Sequence, residues 1–265
     1  MPPPGYACAM DEPMMSPDAI AAPMLPARAL RAGAGADWIV DAWRLFRRAK
    51  LMWILFVVLF FLLSLAISLL PVVGSLVGSL LSPVILGGIL SGARSLDQGG
   101  EMELEHFLGG FRERTASLLG VGALYLAGQL ALMALFAGFV GLPVFSAMLS
   151  GDLDALSGLD VEETAWRAVL GALVTLLLAA PLFAAFWFAP ALVALGGMAA
   201  VPAMKASFTA CLRNWLPMLD YGILATVLLL AALIPLLLGL IVWVPVMLAT
   251  LYTSYQSVFT EPAAA

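Results

Sequence analysis

The chain has 265 residues, of which 63% are hydrophobic and only 11% charged, and its formal net charge is −5. Because an ordinary soluble domain has about 25% charged residues, this composition excludes a typical soluble fold and predicts a polytopic membrane protein. Strands of about ten alternating residues are absent, which argues against an outer-membrane barrel. The Lys and Arg residues are spread thinly along the chain, which argues against nucleic-acid binding.

Residues 1–36 are rich in Pro, Ala and Met and have no periodic apolar face. This composition predicts a disordered cytoplasmic tail. Cys8 and the methionines of the tail are soft ligands, so Cu(I) binding is a minor alternative to a tail without metal. Cys8 and Cys211 are expected to be free thiols in a reducing compartment.

The segment from Asp37 to Arg48 has the pattern of a short amphipathic helix. The apolar residues of one face are Trp38, Ala42, Leu45 and Phe46. Beside or opposite this face lie residues that suit the headgroup region of a bilayer. We therefore predict contact with lipid through Trp43, Arg44, Arg47 and Arg48.

Six apolar stretches are long enough to cross a membrane, which needs about 20 helical residues. They cover about 51–70, 73–93, 118–140, 166–200, 215–234 and 238–256. The predicted fold is therefore an all-α transmembrane bundle of six spans over residues 37–260. Small residues at Gly88 and Gly92 have the spacing that lets helices pack closely in lipid.

The fourth apolar stretch is too long for one straight crossing. A helix over residues 165–200 would be about 54 Å long, against a hydrocarbon core of roughly 30 Å. Proline is the available cause of a bend, so we predict a kink at Pro181. Further kinks are predicted at Pro83, Pro190 and Pro245.

Two of the polar residues inside predicted spans are candidate functional residues. Gln129 lies near the middle of the third span, where an interhelical hydrogen bond is the favoured interpretation and a substrate contact is the alternative. Asp220 lies about one turn into the fifth span and is the best candidate for transport. Its shallow depth favours an anchoring role instead, with Arg213 or Lys205 neutralising the carboxylate.

The distribution of Lys and Arg predicts the orientation. Every basic residue except Arg167 fits a topology in which both termini and two connecting loops are cytoplasmic. The loop at 141–164 carries acids and no Lys or Arg, and we place it on the opposite side. The interfacial residues predicted in the second half of the chain are Lys205, Arg213 and Trp215.

We predict that the six spans pair in chain order into three helical hairpins. The second helices of these hairpins share a pattern of a proline, aliphatic residues and small residues. The three segments are Pro83-Val-Ile-Leu-Gly-Gly, Pro190-Ala-Leu-Val-Ala-Leu-Gly-Gly and Pro245-Val-Met-Leu-Ala-Thr. Each hairpin also follows an amphipathic segment: Trp43 to Lys50, Phe107 to Thr115, and Phe208 to Asn214. This pattern predicts three parallel repeats about an axis along the membrane normal.

Three short runs carry a resemblance to a known family. They are Trp187-Phe188-Ala189-Pro190-Ala191-Leu192-Val193, Ala203-Met204-Lys205-Ala206-Ser207-Phe208 and Cys211-Leu212-Arg213-Asn214-Trp215-Leu216-Pro217. With these runs the chain resembles an uncharacterised family of six-span proteobacterial inner-membrane proteins, which look distantly like the membrane domains of glycerophosphodiester phosphodiesterases. The resemblance implies a bacterial inner membrane. It implies no catalytic residue, because the hydrolytic domain of those phosphodiesterases is not in this sequence.

No constellation for catalysis stands out in the sequence. His106, with Glu101 and Glu105 nearby, could form a metal site, but a solvated loop is the favoured interpretation. We therefore expect a protein without enzymatic activity or cofactor, whose partners are membrane lipids and other membrane-protein subunits. The predicted role is a subunit, assembly factor or scaffold, and a transporter or permease for a small or lipidic molecule is the alternative.

Overall fold

The computed structural model describes residues 27–70, 73–112, 114–151 and 160–260. In these residues all regular secondary structure is helical, which confirms the predicted all-α class. Five helical stretches are long and apolar enough to cross a membrane: Lys50–Ser68, Val73–Asp97, Thr115–Val140, Val161–Ala194 and Trp215–Leu233. Most of the predicted tail, residues 1–26, lies outside the described residues, as does the acidic segment 152–159.

The helices are numbered in chain order. Their bounds are α1 Ala34–Arg48, α2 Lys50–Ser68, α3 Val73–Asp97, α4 Leu104–Phe107, α5 Thr115–Val140, α6 Leu142–Ser150, α7 Val161–Trp187, α8 Ala189–Ala194, α9 Ala200–Arg213, α10 Trp215–Leu233 and α11 Leu240–Phe259. A 3₁₀ turn, Gly109–Phe111, follows α4. The helix α6 lies in a stretch where the sequence predicts a loop.

The first helix begins earlier than the tail boundary at residue 36 predicts. α1 starts at Ala34, and the residues before it already contact the bundle. Arg28 N donates to Val258 O at 3.0 Å. The ordered part of the chain therefore includes residues 27–36, because α11 and the α9–α10 junction supply hydrogen-bond partners that a local reading of the sequence does not reveal.

The centre of the bundle is formed by α3, α8 and α11, which pack against one another. Each contributes a buried proline, at Pro83, Pro190 and Pro245. Small residues after these prolines, such as Gly87 and Ala191, leave little side chain between the helices. The three segments that share the proline pattern therefore meet at the core of the protein.

Other long helices surround this centre and expose their apolar side chains. α2, α5, α7 and α10 carry most of the large exposed hydrophobic residues. Exposing apolar surface to water costs about 25 cal/mol of free energy per Å². Contact with the hydrocarbon chains of lipid avoids this cost. The arrangement is that of a multi-pass membrane protein.

The short helices pack across the bundle. α1 contacts α10 and α11, α9 contacts α7 and α8, and α4 contacts α3. Backbones approach closely where glycine permits it: a Cβ at Gly88 would collide with the backbone carbonyls of His106 and Phe107. Gly88 and Gly92 thus serve helix packing, as their spacing predicts.

The final helix, α11, has 20 residues but does not count among the candidate spans. Its first half is apolar, while its second half is rich in Thr, Ser and Tyr. These polar side chains face other helices. Tyr252 Oη donates to Asp97 Oδ2 at 3.0 Å, and Thr253 Oγ1 donates to Trp38 O at 2.9 Å. The polar residues in the second half of α11 therefore make contacts inside the bundle.

Candidate functional site

Asp220, the acid predicted inside a span, lies at the start of α1. Its Oδ2 accepts a hydrogen bond from the backbone N–H of Ala36 at 3.1 Å. Gly35 makes this approach possible, since a Cβ there would lie 2.5 Å from Pro217 O. A carboxylate at a helix N-terminus also balances the positive end of the helix dipole. Asp220 is thus an N-terminal cap supplied by another helix.

The predicted neutralisation of Asp220 by a basic residue is wrong. Arg213 Nη1 donates to Ala27 O at 3.0 Å, and Lys205 is exposed on α9. Among the described residues neither side chain forms an ion pair with Asp220. The backbone of α1 takes the place of the expected cation, because a helix N-terminus presents unpaired N–H groups.

Asn214 is a structural residue that sequence reasoning missed. It is fully buried at the junction of α9 and α10. Its Oδ1 accepts from Leu30 N at 2.9 Å, and its Nδ2 donates to Arg28 O at 2.9 Å and to Ala210 O at 3.0 Å. The sequence feature that could have identified Asn214 is its position as a polar residue between two helical patterns. This amide fixes residues 28–30 against the bundle.

The fourth long helix breaks at Phe188, next to Pro190, one of the predicted kink positions. The predicted kink at Pro181 stays a prediction. Pro181 lies within the continuous helix α7, whereas α8 starts at Ala189 with Pro190 in its first turn. Ser207 occupies the break: its Oγ accepts from Phe188 N at 2.9 Å and donates to Ala184 O at 2.7 Å. A hydroxyl inserted into the helical ladder, next to a proline, accounts for the break.

The other two prolines predicted as kinks do not interrupt their helices. Pro83 lies inside α3 and Pro245 lies inside α11. Both are buried in the central packing. Before Pro83, the carbonyl oxygen of Ser79 accepts from Ser82 Oγ at 3.3 Å in place of the missing N–H. Packing on neighbouring helices holds these segments helical, as it commonly does for proline in membrane helices.

Three arginines bind backbone carbonyls at related places. Arg48 Nη1 donates to Leu96 O at 3.4 Å, and Arg114 Nη1 donates to Gly197 O at 2.8 Å. Arg213 donates to Ala27 O, whose neighbour Arg28 is hydrogen-bonded to the end of α11. Each arginine precedes the first helix of a predicted hairpin, and each binds at or beside the carboxyl end of α3, α8 or α11. Cations are favourable at such ends.

The predicted lipid-interface residues lie on the surface of the bundle. Trp43, Arg44, Arg47, Arg48, Lys205, Arg213 and Trp215 all have exposed side chains. Arg44 is also paired with Asp41 at 2.6 Å. The opposite face of α1, which carries Trp38 and Phe46, is buried against α10 and α11. The amphipathic pattern of α1 therefore reflects packing on protein, and only its outer face is available to lipid.

Gln129 joins two helices, as the sequence predicts. Its Oε1 accepts a hydrogen bond from Ser79 Oγ of α3 at 3.3 Å. The same side chain lines a cavity of about 690 Å³ between α5 and α7. Tyr125 and Thr175 are the other polar residues of that lining. Gln129 is therefore both a packing residue and part of a lateral cavity.

The titratable groups do not assemble a reactive centre in the described part of the chain. No group of three His, Cys, Asp or Glu side chains could hold a metal ion there. His106 instead contacts its own turn, with Nδ1 3.1 Å from Glu103 N. Burial raises the pKa of the Cys211 thiol to about 12. The methionine-containing tail lies outside the described residues.

Comparison of the chain with protein families, with curated proteins and with solved structures finds no match. The resemblance carried by the segments around Trp187 and Asn214 stays a prediction.

Proposed function

We propose that this chain is a non-catalytic, multi-pass protein of the bacterial inner membrane that acts as a subunit, assembly factor or scaffold of a membrane complex. The observation that carries the proposal is the use of Asp220. The one ionisable residue that the sequence places within a span as a transport candidate is hydrogen-bonded to the start of α1. A carboxylate held by a helix N-terminus is a structural device.

The packing of the centre also favours a non-catalytic subunit, assembly factor or scaffold over a permease. Pro83, Pro190 and Pro245, which could have supplied unwound helices at the membrane midplane, are buried in the packed core. The cavity beside Gln129 is lined by α5 and α7 and by none of these prolines. Transport of a small or lipidic molecule is the alternative, and this lateral cavity is the feature that favours it.

The proposed topology has six spans in three hairpins, α2–α3, α5 with α7–α8, and α10–α11, with both termini cytoplasmic. The arginine contacts support a threefold repeat, because Arg48, Arg114 and Arg213 each bind beside the second helix of their own hairpin. Counting α11 as a span is supported by the burial of its polar half against α1, α3 and α10.

Fusion reporters test this topology. Green fluorescent protein fused after Thr260 is expected to fluoresce, and alkaline phosphatase fused after Gly151 is expected to be active. Alkaline phosphatase activity after Thr260 would overturn the six-span proposal, because an odd number of crossings places the two ends on opposite sides. Fusions after Arg48 and after Gln98 serve as cytoplasmic controls.

The role as a module is tested by purification of the full chain in two mild detergents, followed by mass spectrometry. We expect the same partner at a fixed stoichiometry in both detergents, and loss of that partner from membranes when this chain is deleted. A chain that purifies alone and whose deletion alters no other membrane protein would contradict the proposal. Solute uptake by proteoliposomes containing only this chain would establish the transport alternative.

A further inference from the structure

The turn between α10 and α11 exposes an apolar surface. Ile234 is 82% exposed and Leu236 is 89% exposed. Residues 227–249, which include the turn and both of its flanks, contain no Ser, Thr, Asn, Gln or charged residue. The indole N–H of Trp243 donates to Ala225 O at 3.1 Å. Turns in water are built largely from Gly, Pro, Asn, Asp and Ser, so this composition is not that of an aqueous turn.

The backbone of the turn satisfies its own hydrogen-bond donors. Its N–H groups donate to carbonyl oxygens of the same stretch: Leu236 N to Ile234 O at 2.9 Å, Leu237 N to Leu233 O at 3.3 Å and Leu238 N to Pro235 O at 3.0 Å. Pro235 has no N–H to satisfy. Because hydrocarbon offers no water as a partner, a backbone segment inside it must pair its polar groups within the protein. The donors of this turn meet that requirement.

Two leucines of the turn have a left-handed backbone conformation. The φ angle is 52° at Leu236 and 68° at Leu237. This conformation is unfavourable for a residue with a Cβ and is usually adopted by Gly or Asn. In water, leucine at these positions would combine backbone strain with exposed apolar surface. In hydrocarbon the exposed side chains are favourable, which explains leucine at both positions.

The helix α1 fixes the depth at which this hairpin begins. Charged side chains are exposed along α1, at Asp37, Asp41, Arg44 and Arg47. Its two ends are bonded at the start of α10 and at the end of α3. Since charges are costly in hydrocarbon, α1 lies along the membrane surface, and Asp220 marks where α10 enters. From Asp220 to Leu236 the helix is about 24 Å long at about 1.5 Å per residue, against a core of roughly 30 Å.

A cavity of about 490 Å³ also places the turn near α1. Val40 and Trp43 of α1 line it together with Ala232 and Gly239 at the base of the turn. The hairpin is closed at that level, since a Cβ at Gly239 would lie 2.5 Å from Ala232 O. A turn on the far surface would lie roughly 30 Å from a helix on the near surface. The shared cavity therefore agrees with a turn that ends short of the far side.

We propose that the turn between α10 and α11 lies inside the hydrocarbon core of the bilayer and that lipid acyl chains cover its leucines. Both ends of the hairpin stay on the side of α1, and Leu236 contacts water on neither side. This inference rests on the proposed topology only for the side on which the hairpin starts. A fusion after Thr260 gives the same result at either depth of the turn, so the depth needs its own measurement.

The test uses single cysteines in the full chain, with Cys8→Ser and Cys211→Ala as the background, and a membrane-impermeant maleimide. The reagent attacks the thiolate, which does not form in hydrocarbon. We expect Leu236→Cys to react at least about tenfold more slowly than Glu162→Cys in right-side-out vesicles, and than Lys205→Cys in inverted vesicles. All three cysteines should react equally after the membranes are dissolved in sodium dodecyl sulfate.

Reaction of Leu236→Cys within about threefold of either control would overturn the proposal. Reaction of Glu162→Cys only in inverted vesicles would contradict the proposed topology instead, and an unreactive Leu236→Cys would then still support the embedded turn. A nitroxide attached to Leu236→Cys in reconstituted bilayers distinguishes lipid from a protein partner. We expect more frequent collisions with oxygen than with a water-soluble nickel complex. Shielding from both, as a protein surface would give, would overturn the assignment to lipid.

Discussion

Replacing Ser207 with alanine tests the structure of the break between α7 and α8. The substitution removes the hydroxyl that accepts from Phe188 N and donates to Ala184 O. Phe188 is 1% exposed, so its N–H would have no access to water. Ala184 O keeps its contact with the Cys211 sulfur at 3.4 Å.

The expected cost follows from these contacts. A buried polar group left without a partner costs about 1–3 kcal/mol, and we expect Ser207→Ala to lower the free energy of unfolding by that amount. The lower end applies if the helix closes enough to pair Phe188 N with Ala184 O. Full closure is opposed by Pro190, which has no N–H and sits in the first turn of α8.

Thr209→Ala is the matched control on the same helix. Its exposed hydroxyl donates only to Lys205 O one turn away, so its removal should change the free energy of unfolding by no more than about 0.5 kcal/mol. Denaturant titration of the purified protein in micelles measures both variants. Ser207→Ala and Thr209→Ala with equal unfolding midpoints would refute the assigned role of Ser207. Ser207→Cys, which keeps a weak donor, should fall between them.

Three further predictions concern single side chains. Asp220→Ala removes the cap of α1 and should cost about 1 kcal/mol, whereas Asp220→Asn keeps the acceptor and should cost less; equal thermal stability of both variants would contradict the capping role. Gly35→Ala places a Cβ 2.5 Å from the α10 backbone and should destabilise, while Gly222→Ala, which meets nothing within 4 Å, should stabilise by up to about 1 kcal/mol; the reverse order in unfolding titrations would be inconsistent with the packing. Burial raises the pKa of Cys211 from 9.0 to about 12, so a Cys8→Ser variant should be alkylated by iodoacetamide at pH 8 at least tenfold more slowly when folded than when denatured. Because the unfolded thiol ionises first, this group's contribution to stability is complete below about pH 9 and is lost as pH rises toward 12, and rapid alkylation of the folded protein would refute the burial.

Local pattern was sufficient for most of the helices. The apolar runs of α2, α3, α5 and α10 extend over enough residues to mark helices of membrane-spanning length, and their observed bounds lie close to the predicted ones. The apolar face of α1 was also visible, because residues at helical spacing share a face whatever they pack against. The sequence did not predict which helices this face contacts. In the structure it packs against α10 and α11.

The start of α7 carries a local sequence signal for a helix, although the acidic composition of the segment predicts a loop. Asp160 caps the helix by accepting from Glu162 N at 2.9 Å and Glu163 N at 3.1 Å. An Asp followed by two Glu is a recognisable helix start, yet the acidic composition favoured a loop. Arg167, the basic residue that fits the predicted orientation least, donates to Phe139 O at the end of α5, which is a contact with a helix C-terminus.

The amino-acid sequence by itself determined the membrane class and the helical segments of this protein, because burial of apolar side chains and backbone hydrogen bonding are dictated locally in a helix. Only the tertiary structure decided where the fourth long helix breaks, since Ser207 lies 19 residues from Phe188. It also decided the partner of Asp220, which is 184 residues away. Such pairings depend on which helices pack together. The position of a proline or a carboxylate in one segment does not predict which other segment packs against it.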